Sequence, residues 1–221
     1  GAAFECALTG WAPDAGPGPV TLASGQANPN EIATDGIHAY WTDYASGTVV
    51  RCAVGGCGGS PTVIASSQNN PLGIAVDATN VYWTNTTGGS LMELPKNTDA
   101  GVPISLASGL TQPYFISTDG TDVYWTGNGK VMKCAIAGCG GNPTTLASST
   151  GSPLGIAVDN TNVYWTNITN GTISKCAKVG CGSNPTVIAS GQSSPYGIAV
   201  DSTSVYWSNE SNGGVMKLTP K

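Results

Sequence analysis

Apolar runs of four to seven residues alternate along the whole chain with turns rich in glycine, proline, serine and asparagine. One apolar pattern recurs as IATDGIHAYWTD, IAVDATNVYWTN, ISTDGTDVYWTG, IAVDNTNVYWTN and IAVDSTSVYWSN. Its Tyr-Trp pairs begin at Tyr40, Tyr82, Tyr124, Tyr164 and Tyr206, at spacings of 42, 42, 40 and 42. After each pair comes a glycine turn and a further strand-like stretch (TVVRCA, SLMELP, KVMKCA, TISKCA, GVMKLT). Most units add a fourth run, PTVIAS, PISLAS, PTTLAS and again PTVIAS, that leads to Pro71, Pro113, Pro153 and Pro195. Helices would need apolar positions at a 3.6 spacing over about ten residues, and no window shows this.

Four short runs joined by turn chemistry predict four antiparallel strands per unit. A period near 42 residues with four strands is the signature of a propeller blade. The predicted fold is therefore all-β: a five-bladed β-propeller formed by residues 20–221, preceded by an extension over residues 1–19. The innermost strand of a blade lines a narrow channel, which suits the small residues of Gly73-Ile74-Ala75-Val76 and Gly197-Ile198-Ala199-Val200. The second strand carries the bulky pair, which packs on both neighbouring blades. Ten of the sixteen aromatic residues sit in these pairs, so they form the core.

The fifth unit stops after its third run, near Leu218, and Val20-Thr21-Leu22-Ala23-Ser24 matches the missing fourth. The expected closure has this N-terminal strand completing the last blade. Ala3-Phe4-Glu5-Cys6-Ala7 also matches a third strand, however, and competes with Val215–Leu218 for that slot. It packs outside the ring, displaces one terminal copy, or exchanges between chains to give a homo-oligomer through the termini.

Composition narrows the function classes. Charged residues are 10% of the chain and the formal net charge is −5, which argues against nucleic acid or an anionic membrane as partner. No apolar run approaches the roughly 18 residues of a membrane helix. The 31 glycines and 14 prolines beside only four glutamates (Glu5, Glu31, Glu93, Glu210) fit short strands and tight turns.

Six of the seven cysteines form C-x4-C pairs just after the third strand of units one, three and four: Cys52/Cys57, Cys134/Cys139 and Cys176/Cys181. Unit two loses both members together, to Leu94 and Asp99, as a bonded pair predicts. No histidine stands near a pair, which disfavours a metal site. Three local disulfides imply an oxidising location, secreted, periplasmic or at the cell surface. Cys6 has no repeat partner and is free or intermolecular. No leader is visible, so the sequence reads as a mature or trimmed form.

Tyr40-Trp41-Thr42-Asp43 spells YWTD, and the other copies read YWTN, YWTG, YWTN and YWSN after a GIAVD-type strand. The unit resembles the YWTD propellers of low-density-lipoprotein-receptor-like proteins and related secreted bacterial repeat proteins. Departures are the count of five blades where the receptor family has six, and a final aspartate in one copy only. Five-bladed tachylectin-like lectins are similar in architecture but not in motif.

Candidate chemistry is sparse. Asp35, Asp77, Asp119, Asp159 and Asp201 each stand five residues before a tyrosine. They read as turn residues accepting backbone hydrogen bonds in preference to a ring of calcium ligands. His38 is the single histidine, and no nucleophile is assigned to it; Glu31 with Asp43 is a carboxylate pair that spacing does not support. Four N-x-[ST] sequons begin at Asn85, Asn167, Asn170 and Asn209; they are glycan acceptors in a eukaryotic secretory source and plain turn residues in a bacterium.

The turns entering first strands and those joining second to third strands share one propeller face. That face is polar, uncharged for the most part and dotted with tyrosine. The candidate ligand-binding residues on it are Tyr44, Gln68, Asn70, Gln112, Tyr114, Gln192 and Tyr196. Amides, hydroxyls and aromatic rings suit a glycan or an extracellular protein, although the same residue types also simply make good turns. The expectation is a non-enzymatic extracellular recognition module with no catalytic residues, metal or cofactor. Alternatives are a building block of a surface assembly or fibre, and a hydrolase or lyase seated at the channel mouth.

Overall fold

The computed structural model describes residues 2–5, 20–97, 101–148 and 150–221, with residues 2–5 and 20 described by their backbone alone. Two N-terminal strands, β1 (Ala2–Glu5) and β2 (Val20–Ser24), precede the repeats. The first blade is β3 (Pro29–Thr34), β4 (His38–Asp43), β5 (Thr48–Ala53) and β6 (Thr62–Ala65). The second is β7 (Pro71–Val76), β8 (Asn80–Asn85), β9 (Ser90–Pro95) and β10 (Ile104–Ala107). The third is β11 (Pro113–Thr118), β12 (Asp122–Gly127), β13 (Lys130–Ala135) and β14 (Thr144–Ala147). The fourth is β15 (Pro153–Val158), β16 (Asn162–Asn167), β17 (Thr172–Ala177) and β18 (Thr186–Ala189). The fifth is β19 (Pro195–Val200), β20 (Val205–Asn209) and β21 (Gly214–Leu218). Each blade is an antiparallel meander in sequence order, and the inner strands β3, β7, β11, β15 and β19 are successive neighbours. This is the five-bladed, all-β propeller that the repeat predicts.

Strand geometry explains the Tyr-Trp pair. Adjacent side chains on a strand point to opposite faces, so the tyrosine packs on the next blade and the tryptophan on the previous one. Between blades one and two, Tyr40, Val49, Ile64 and Ala65 meet Ile74, Val81, Trp83 and Leu94. The set recurs as Tyr82, Leu91, Leu106 and Ala107 against Ile116, Val123, Trp125 and Cys134. Trp41, Trp83, Trp125 and Trp165 are fully buried, and truncating one to alanine would cost about 3–5 kcal/mol.

The threonine of the motif then clasps neighbouring blades together. Thr84 Oγ1 donates to Tyr114 O at 2.5 Å and accepts from Gly73 N at 2.9 Å. Thr42, Thr126 and Thr166 donate in the same way to Leu72 O, Leu154 O and Tyr196 O. The inner strands lie so close that a Cβ on Gly73 would stand 2.5 Å from Tyr114 O, which is why glycine occupies this place.

Ring closure departs from the expectation. β2 is hydrogen-bonded to β1, while the fifth sheet consists of β19, β20 and β21. Ala3 faces Ala23 and Phe4 faces Thr21, with the same register shift that sets Val131 against Ala147 and Met132 against Thr145. By register β1 therefore holds a third-strand place and β2 a fourth-strand place. Leu22 and Ala23 cover Ala39, Trp41 and Cys52, the role that Ile64 and Ala65 play for Trp83. The physical reason is competition: β1 and β21 carry the same strand pattern, and β2 offers this edge to one of them. Val215 on β21 is 81% exposed as a result. Cys6 and Trp11 lie outside the described residues.

All three disulfides join the pairs expected from spacing, Cys52–Cys57, Cys134–Cys139 and Cys176–Cys181. Cys134 takes part in the same inter-blade contact for which blade two uses Leu94.

Candidate functional site at the channel mouth

The two families of turns do share one face. Tyr44 N donates to Asn28 O, Thr86 N to Asn70 O, Ile168 N to Ser152 O and Glu210 N to Ser194 O, each at 3.0–3.1 Å. Asn28, Asn70, Gln112 and Ser194 hold φ values of 46–66° in these turns, a left-handed conformation that asparagine tolerates best among them.

In blades two to five the residue after the inner-strand proline is Leu72, Tyr114, Leu154 or Tyr196, and all four pack against the apolar cluster that contains Phe115. The Tyr196 ring meets Phe115 edge-on, with centroids 5.5 Å apart and an interplanar angle of 84°, a favourable aromatic geometry. Both tyrosines remain partly exposed, and Tyr114 Oη donates to Gln112 Oε1 at 3.4 Å. Phenol and amide groups thus stand beside an apolar cluster on the inner strands.

Glu31 belongs to the same inner ring, at the position where other blades have Gly73, Phe115, Gly155 or Gly197. Its Oε2 accepts from Ile74 N at 2.8 Å, and burial raises its pKa to about 8 against the lowering effect of that bond. Burial, then the charges of Glu210 and Glu31, push the Tyr196 hydroxyl up. Asp43 is raised by burial in a separate wedge and has its own backbone partner in Ala27, so the two carboxylates serve different places.

The other candidate residues are employed otherwise. Gln68 Oε1 accepts from Trp83 Nε1 at 2.9 Å and from Asn85 Nδ2 at 3.0 Å, and its Nε2 donates to Ser66 O. Gln192 does the same for Trp207 and Asn209, with its Nε2 on Ser190 O. Asn70 braces a turn pair, donating to Tyr44 O at 3.4 Å and accepting from Thr87 Oγ1 at 2.7 Å. Of the seven residues, the structure brings Gln112, Tyr114 and Tyr196 to the mouth. Tyr44 and Asn70 meet at the rim between blades one and two. Sequence reasoning missed Phe115 and weighed Glu31 only as a partner of Asp43; the signal for both is a break in the glycine column of the inner strands.

The opposite face carries the five aspartates. Asp77 Oδ1 accepts from Thr79 N at 2.7 Å and Asn80 N at 2.8 Å, while Oδ2 accepts from Tyr82 Oη at 2.8 Å. Asp35, Asp119, Asp159 and Asp201 repeat the arrangement with Tyr40, Tyr124, Tyr164 and Tyr206. Each carboxylate is occupied locally, as the turn reading requires. Among the described residues no three His, Cys, Asp or Glu side chains converge as metal ligands. Burial opposes ionisation of Asp119, but bonds from Asp122 N, Lys178, Thr121 N and Tyr124 hold its pKa well below the usual range. Burial and the Asp35 charge push Tyr40 up to about 12. His38 lies on this face, its ring 5.9 Å from that of Tyr40.

Three of the four sequon asparagines, Asn85, Asn167 and Asn209, are buried at the ends of β8, β16 and β20. Only Asn170 is an exposed turn residue.

No protein-family model and no curated protein sequence matches the chain. Solved structures share its fold. The chain is 21% identical to a component of a nidogen/laminin complex, with TM-score 0.77 over 91% of this chain and 80% of that one. It is 14% identical to virginiamycin B lyase from Staphylococcus aureus, with TM-score 0.74 over 100% and 78%. It is 15% identical to a gluconolactonase from Xanthomonas campestris, with TM-score 0.66 over 87% and 76%. At these identities the likeness is one of fold, and that fold serves both binding and catalysis. No helix of the described residues is long and apolar enough to cross a membrane.

Proposed function

We propose that the chain is a non-enzymatic extracellular recognition module whose channel mouth binds a glycan. The observation that supports this reading is that part-exposed Tyr114 and Tyr196 pack against one apolar cluster, Tyr196 edge-on to Phe115, with the Gln112 amide beside Tyr114. Sugar rings offer apolar faces for such phenols and hydroxyls for such amides. Three disulfides support an oxidising compartment, secreted, periplasmic or at the cell surface.

A glycan array probed with the wild-type chain tests the proposal. Saturable binding that Tyr114→Ala and Tyr196→Ala abolish, with Gln68→Leu retaining it, supports the reading. A silent array refutes it, and binding to extracellular proteins alone reassigns the mouth to a protein partner.

Glu31 favours a second reading, an enzyme at the same mouth, because a carboxyl with pKa about 8 is protonated at neutral pH and is poised to act as a general acid. The lyase and gluconolactonase folds are consistent with it. Turnover of a lactone or cyclic ester, lost in Glu31→Gln, would select this reading. The edge of β21, which pairs with no further strand among the described residues and carries exposed Val215, favours assembly through the termini, and light scattering that reports only monomer would remove it.

A further inference from the structure

Blade three departs from the repeat at three neighbouring positions. Trp41, Trp83 and Trp207 each donate Nε1–H to a glutamine fifteen residues upstream: Gln26 at 3.2 Å, Gln68 at 2.9 Å and Gln192 at 2.9 Å. For Trp125 that residue is Leu110. The place is the same, since Leu110 N donates to Gly89 O as Gln68 N does to Gly47 O. The other second strands end in Asp43, Asn85, Asn167 and Asn209, whereas β12 ends in Gly127. Opposite that residue the other blades set Thr48, Ser90, Thr172 and Gly214, and blade three sets Lys130.

The losses act together. Blade four lacks only the glutamine and keeps Asn167, and there Trp165 is 0% exposed with its Nε1 sealed away from any partner. Blade three lacks both side-chain amides, and a recess of about 210 Å³ opens that Trp125 itself lines. Strand alternation puts Trp125 and Gly127 on one face of β12, and the register sets Met132 and Lys130 against them on β13. Leu110 and Pro143 complete the apolar walls. The chemistry left in the recess is one-sided. Leucine has no acceptor, so the Trp125 N–H lacks the bond that its three counterparts make. Lys130 enters none of the ion pairs among the described residues, and no described residue lining the recess is acidic.

We infer that this recess binds the carboxylate of a small aliphatic acid, one oxygen accepting from Trp125 Nε1 and the other from the Lys130 ammonium. The aliphatic stem rests on Leu110, Met132 and Pro143. A carboxylate brings two acceptors and no donor, which matches one N–H and one cation. A primary amide satisfies the indole but forfeits the ion pair, and an amine sets a second cation against Lys130. The acceptor takes the place that a glutamine oxygen fills in three other blades. The recess shares no residue with the channel mouth, so the inference stands whether or not a glycan binds there.

Indole N–H signals in a proton–nitrogen correlation spectrum test this, with the Trp125 signal assigned through Trp125→Phe. Butyrate should shift the Trp125 signal saturably, and butyramide, its neutral counterpart, should do so far more weakly. The Trp83 and Trp207 signals, bonded internally, should stay in place and report that each variant is folded. Lys130→Met should weaken the butyrate response by about tenfold and bring it level with that of butyramide. Leu110→Gln supplies the acceptor of the other blades and should weaken butyrate by about tenfold or more. A Trp125 signal that butyrate leaves unmoved overturns the inference. Equal responses of the wild-type chain to butyrate and butyramide, or an undiminished butyrate response in Lys130→Met or Leu110→Gln, overturn it as well.

Discussion

Lys178 on the fourth blade reaches back across the seam to the third, its Nζ 2.7 Å from Asp119 Oδ2. Lys96 meets Asp35 at 2.9 Å and Lys221 meets Asp159 at 2.7 Å in the same sense. At the seam between blades two and three the corresponding position is Ile136, and Asp77 instead relies on its own turn and Tyr82. The aspartate column therefore does two jobs: it caps a turn within a blade and, at three seams, ties that blade to the next.

Separating these jobs gives a first expectation. Lys178→Met should cost about 1 kcal/mol, since a part-exposed ion pair contributes little. Asp77→Ala, which removes the acceptor of two backbone N–H groups and the Tyr82 hydroxyl, should cost about 2 kcal/mol or more. Urea midpoints would show the order. A larger loss from Lys178→Met would mean that the seam, and not the turn, is the main use of the column.

Glu31 predicts an unusual pH dependence. Its folded pKa is raised to about 8, so the stabilisation of the neutral form is complete below the unfolded value near 4.5 and is lost as pH rises through 8. Asp43 and Glu93, raised mainly by burial, act in the same direction. The wild-type chain should lose about 2 kcal/mol between pH 5 and pH 8, after allowance for partial exposure, and Glu31→Gln should lose much less. Equal slopes for the two proteins would show that Glu31 is not a buried neutral acid. The turn aspartates have the opposite sign. Their depressed pKa values add stability above about pH 4 that is lost on further acidification.

Gln68→Ala should destabilise the fold by about 1–2 kcal/mol by orphaning Trp83 Nε1. Binding at the mouth should be unchanged once the protein is folded. A loss of affinity without loss of stability would return Gln68 to the ligand site.

Replacing Cys134 and Cys139 by serine should cost about 2 kcal/mol from the short closed loop. Cys134→Leu with Cys139→Ser should recover roughly 1 kcal/mol of that, because Leu94 fills the matching position in blade two. Thermal unfolding of the two variants decides it, and identical midpoints would mean that packing at this position is immaterial.

The repeat made the blades, the Tyr-Trp core, the disulfides and the aspartate turns legible, because each depends on residues close together in one unit. What escaped depends on partners from different units. The Gln68–Trp83 bond spans a blade boundary and looks like two unrelated positions in a linear reading. The closure was misjudged because Ala3–Glu5 and Val215–Lys217 carry one pattern, and only three-dimensional competition for the edge of β2 decides between them. At the mouth, Tyr114 and Tyr196 were visible as departures from leucine after the inner-strand proline. The edge-on contact of Tyr196 with Phe115, by contrast, crosses the channel between blades five and three and leaves no local trace.

The central claim, recognition at the channel mouth, is most directly tested by backbone amide perturbation mapping with a glycan found on the array. The account predicts shifts concentrated at Gln112, Tyr114, Phe115, Tyr196 and Gly197, with the turns around Asp77 and Asp159 on the far face unchanged. Perturbations centred on those far-face turns, or on the outer edge of β21, would contradict it.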